Sequence, residues 1–149
     1  MEGKKRKAAG FWFSIIAFVA ALVGLAGMYF CSSMYAAYAY KTINMMLIFG
    51  GTAAVLILIS ALLPSTRLGN HNVLTAIFVW AAIGLMMSVV GTMILDRILM
   101  IAGLFSYNSQ NTIGWQVFYV TVVGVAGYLV SCLALIIASF TKTVKIVKA

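Results

Sequence analysis

The chain has 149 residues, 64% of them hydrophobic and 8% charged, with ten Lys and Arg against two Asp and Glu. Soluble domains carry about 25% charged residues, and a chain this apolar could not cover its surface in water. An ordinary soluble domain is therefore excluded, and the net charge of +8 has to be read with a bilayer as the solvent.

Between Ala8 and Phe140 the only charged residues are Lys41, Arg67, Asp96 and Arg97. They separate stretches that each hold the about 20 apolar residues needed to cross a hydrocarbon core. A basic tail, 1–10, leads into the first predicted span, 11–30. Ala37-Tyr38-Ala39 offers a cleavage-like pattern, but the apolar run exceeds the roughly 7–15 residues of a signal sequence, so an uncleaved helix is expected.

The second predicted span, 43–63, stops at Pro64, which lacks an amide donor and disfavours helix in its predecessor. A short polar turn with Arg67 and His71 follows. The third span, 73–95, closes at Asp96-Arg97. Residues 98–105 are apolar but few, and a helix running through them would be about 50 Å long, so this stretch is expected to lie on the membrane surface. A polar loop with Asn108, Gln110 and Asn111 precedes the fourth span, 116–140, and a second basic tail, 141–149, ends the chain.

Lipid-exposed backbone must satisfy its own hydrogen bonds, and continuous apolar runs lack the alternation of a β-barrel. The expected fold is an all-α integral membrane protein, a compact four-helix bundle spanning 11–140, without strands. With both termini cytoplasmic, eight basic residues fall inside and only Lys41 and Arg97 outside, the positive-inside bias of a multi-pass protein of the cell membrane. The cytoplasmic tails are then expected to face anionic headgroups. Nucleic acid is not an expected partner, because no basic stripe is interleaved with exposed aromatics.

In lipid, helices associate by close packing through small residues. Pairs four apart, on one helix face, occur in every span: Ala20 and Gly24, Gly50 and Ala54, Gly84 and Ser88 (with Thr92 beyond), Gly127 and Ser131. The expectation is that these faces pack the four helices into their own bundle; the alternative is that at least one of them meets another protein. Residues 23–27 (VGLAG) resemble residues 123–127 (VGVAG), and Phe18 and Phe118 share the offset. Since the middle spans do not repeat, coincidence is the expected explanation.

No catalytic centre, cofactor site or metal site is expected. The apolar spans hold no ionisable group of the kind that marks a proton or ion path. Glu2 and Asp96 belong to opposite sides, and the single histidine, His71, lacks nearby ligands. Cys31 and Cys132 lie at different depths, too far apart for a disulfide. Asp96 is expected at the outer boundary, neutralised by Arg97 or Lys41, with Asp96 and Arg97 the candidates for an outer contact. The expected function is an accessory or structural subunit of a larger membrane complex. A small homo-oligomeric channel or carrier for a neutral or lipophilic solute is the alternative, and it requires polar residues such as Ser88, Thr92, Thr121 and Ser131 to converge on one pore.

Overall fold

The computed structural model describes residues 4–7, 9–34, 37, 39–62, 72–140 and 144–147. The expectations for Pro64, Arg67 and His71 lie outside them. Four helices, α1 (Ala9–Met34), α2 (Ile43–Leu62), α3 (Asn72–Ser106) and α4 (Thr112–Phe140), are each long and apolar enough to cross a membrane. They pack in a ring: α1 on α2, α2 on α3, α3 on α4, and α4 back on α1, the last interface being the most extensive.

The chain is not wholly helical. β1 (Lys4–Lys7) and β2 (Val144–Val147) pair as a two-stranded antiparallel ribbon, with Lys4 opposite Val147 and Lys7 opposite Val144. Both ends of the chain thus meet at the same end of the bundle. The sequence expectation of no strands fails because it treated the two tails separately, and a ladder exists only once the helices bring them together.

The α1–α4 interface explains that meeting. Along α1 the buried positions include Ser14, Ala17, Ala21, Gly24, Met28 and Cys31; along α4 they include Gly114, Val117, Thr121, Gly124, Tyr128 and Ser131. Each set alternates steps of three and four, the 3.5-residue repeat of a coiled-coil seam. The two sets correspond at an offset of 100 residues. The helices run antiparallel, so Gly24 approaches Gly127 and Gly27 approaches Gly124. Residue n faces residue 151 − n here, and the same rule holds in the ribbon. The resemblance between 23–27 and 123–127 therefore has a structural consequence: the two stretches are matching halves of one crossing related by a local two-fold axis.

Hydrogen bonds follow the same symmetry. Ser131 Oγ donates to the Ala17 carbonyl at 2.6 Å, and at the equivalent position Cys31 Sγ approaches the Val117 carbonyl at 3.9 Å. Tyr128 is fully buried and reaches from α4 across α1 to α2. A Cβ on Gly24 would lie 2.8 Å from its ring, and one on Gly50 would lie 2.6 Å from its hydroxyl. These two glycines make room for one aromatic side chain.

Three helix boundaries differ from expectation by four residues or more, the first being the end of α1, which runs to Met34 and not to 30. The stretch 98–105 does not lie on a surface; α3 continues to Ser106, 35 residues in all. Its buried stripe runs through Met86, Met93, Arg97 and Leu104, so Arg97 sits on the packed face and the helix has no reason to stop there. α4 begins four residues before Gln116, because Asn111 Oδ1 accepts a hydrogen bond from the Gly114 amide at 3.1 Å. That is the side-chain cap that satisfies an orphan donor in a helix's first turn.

Candidate functional site

Charge placed inside a bundle of membrane-type helices is costly and marks a functional candidate. Arg97 is that charge. At 4% exposure it is buried, whereas its neighbour Asp96 is exposed. The two side chains leave the helix in different directions, because successive helical positions diverge by about 100°, and Arg97 turns into the bundle.

Three segments meet Arg97 at the end of the bundle opposite the ribbon. From α1, Cys31 accepts a hydrogen bond from Arg97 Nη2 at 3.2 Å. From the α1–α2 connection, Tyr40 lays its ring under the guanidinium, 4.2 Å from Cζ to centroid, an arrangement in which the ring's negative face attracts the cation. From α4, Thr121 Oγ1 lies 3.7 Å from Cys31 Sγ and donates to the Val117 carbonyl at 2.8 Å. The outcome is a buried polar chain, Arg97 to Cys31 to Thr121 to Val117, capped by an aromatic face.

The Tyr40 hydroxyl is buried and makes no well-formed hydrogen bond, although Thr121 and Arg97 are close enough to favour its ionised form. Burial outweighs them and raises the phenol above its ordinary value of 10.0. What this group can do chemically is bind and lock. It joins α1, α3, α4 and the first connection through one cation, and among the described residues no three His, Cys, Asp or Glu side chains gather as a metal site would need.

Beyond this cluster the α3–α4 hairpin carries aromatics in edge-on contact: Phe105 with Trp115 at 5.2 Å and Trp115 with Phe118 at 5.7 Å between centroids. The Trp115 indole N–H donates to the Ser109 carbonyl at 2.8 Å and ties the loop to α4.

The predicted packing residues fall into two groups. Ala20, Gly24 and Gly127 lie at the α1–α4 crossing, Ser131 bonds across it, Gly50 houses Tyr128, and Ala54 is buried. Gly84 and Ser88 lie on an exposed face of α3. A Cβ on Gly84 would meet nothing within 4 Å, and the same holds at Gly91.

The hydroxyls required for a pore do not converge. Ser88 donates to the Gly84 carbonyl at 3.0 Å and Thr92 to the Ser88 carbonyl at 2.9 Å, both along α3's outward face. Thr121 and Ser131 are buried on the α1–α4 side instead. The sequence reading had no place for Cys31 and Tyr40 beside Arg97. The available signal was the seven-residue spacing of Met86, Met93 and Met100, which carries α3's packed stripe past Arg97.

Comparison with protein-family models, with curated proteins and with solved structures finds no match.

Proposed function

We propose that this chain is a multi-pass protein of the cell membrane, with both ends cytoplasmic, serving as an accessory or structural subunit that packs against a larger membrane complex and carries no catalytic centre. The observation that supports this most is the outward face of α3. The predicted pairs Ala20 and Gly24, Gly50 and Ala54, and Gly127 and Ser131 are taken up by internal packing, yet Gly84, Ser88 and Gly91, three to four residues apart, stay open, as does the single Gly51 on α2. Trp80 at 79% and Leu95 at 71% exposure flank them on the same face. Close approach of a second helix in lipid needs this combination of small residues and apolar flanks.

Purification in mild detergent followed by mass spectrometry tests the reading. A foreign membrane protein at fixed stoichiometry, lost in Gly84→Leu and Ser88→Leu variants that keep their own fold, is the expected result. A stable homo-oligomer with no foreign partner would overturn it in favour of a channel or carrier. A terminal tag reporting from outside the cell would overturn the orientation.

A further inference from the structure

The ribbon between the chain ends is poorly explained by its own composition. Four successive basic residues, Lys4, Lys5, Arg6 and Lys7, form one strand, and Lys145 stands in the other, so five of the eight paired positions are cationic. Lysine is depleted in strands. An isolated pair of strands is marginal in water even without repulsion. Arg6 is directly opposite Lys145, and like charges facing across a ladder are destabilising. Each strand spans about 10 Å from its first to its last residue at 3.3 Å per residue, close to the Debye length of about 8 Å, so neighbouring cations in the ribbon feel one another.

What favours pairing is the crossing of α1 on α4. Gly24 against Gly127 and Gly27 against Gly124 set a register that the paired residues of the ribbon share. The helices therefore deliver two mutually repelling tails to one place.

We infer that the two tails form a single cationic surface for anionic phospholipid headgroups, and that those headgroups close the ribbon by removing the repulsion that opposes it. Each basic residue near an anionic leaflet is attracted to it, and pairing concentrates five of them over a small area. A neutral bilayer leaves the repulsion uncompensated, and the tails separate. The inference does not depend on what meets the α3 face.

The test uses the full chain carrying Lys4→Cys and Val147→Cys, direct cross-strand partners within the Cα range of a disulfide, so that Arg6 stays opposite Lys145. The variant is reconstituted in phosphatidylcholine vesicles with and without phosphatidylglycerol, and the initial rate of oxidative cross-linking is measured. Protection of the buried thiols Cys31 and Cys132 from alkylation verifies the fold in each sample. The expected result is cross-linking about fivefold faster in anionic vesicles, about 1 kcal/mol at 1.4 kcal/mol per tenfold, with the difference lost at high salt. Adding Lys5→Gln and Lys7→Gln should give the fast rate in both vesicles. Equal rates for the parent variant, or no cross-linking in either vesicle, overturn the inference. So does acceleration in neutral vesicles by inorganic phosphate alone, which would mark a free-anion site in place of a lipid surface.

Discussion

Gly127 rests on the backbone of Gly24: a Cβ at Gly127 would lie 2.9 Å from the Gly24 amide nitrogen and 3.0 Å from the Ala20 carbonyl oxygen. Neither atom belongs to a flexible side chain, so the two helices could accommodate a methyl group only by moving apart. Gly127→Ala should destabilise the bundle by about 1–3 kcal/mol, the usual cost of overpacking. Gly84→Ala, where the added carbon meets nothing within 4 Å, should be neutral or slightly stabilising in the isolated protein. Reversible unfolding in mixed micelles reads both, and equal effects at the two positions would refute the close crossing.

Tyr128 gives a second test. Its ring fills the space left by Gly24 and Gly50, yet its buried hydroxyl has no hydrogen-bond partner among the described residues. Tyr128→Phe removes an unsatisfied polar group without a cavity, so stability should hold or rise, because such a group costs about 1–3 kcal/mol when unpaired. Tyr128→Ala should lose about 3–5 kcal/mol through the cavity it opens. A large loss in Tyr128→Phe would mean that the hydroxyl has a partner.

The cluster around Arg97 predicts unequal behaviour of two adjacent charges. Arg97→Lys keeps the charge but loses the planar fork and the stacked face, and it should cost about 1–3 kcal/mol given the worth of a desolvated cation–π contact together with a charged hydrogen bond. Asp96→Asn, on the exposed side, should change stability by less than about 0.5 kcal/mol. If Asp96 contacts the proposed partner, the same variant lowers co-purification while its thermal unfolding stays unchanged.

Tyr40 adds a pH dependence. Burial raises its folded-state phenol above 10.0, so the neutral form is favoured by folding. The resulting stability is complete below the unfolded value and is lost as pH rises from 10.0 through the folded value. Stability should therefore decline in strong alkali, and Tyr40→Phe, which keeps the ring under Arg97, should flatten that decline. Unfolding midpoints of both proteins across the alkaline range would settle it; parallel profiles would refute the assignment.

Much of the architecture was legible because it is written in one dimension. Lys41, Arg67 and Asp96-Arg97 bracket apolar stretches of spanning length, and that alone yields four helices. The cluster was not legible, because Arg97 and Cys31 are 66 residues apart and neither carries a local sign of the other. Arg97 looked like a boundary because a lone cation usually leaves the apolar phase; here a thiol and an aromatic face keep it inside. The start of α4 was missed for a smaller reason. Asn111 sits in a run of polar residues, and only its bond to the Gly114 amide distinguishes a cap from loop. The offset-100 resemblance was visible, but its meaning required knowing that the two stretches run antiparallel and touch.

The rule by which residue n faces residue 151 − n gears the two ends of the molecule to one another. Deleting a single residue early in α1 would turn everything on one side of the deletion by about 100°, so the glycine crossing and the ribbon could not both stay in step. Within α1 and α4 any change of length must be matched in the partner helix, and insertion tolerance measured position by position should fall to a minimum along these two helices.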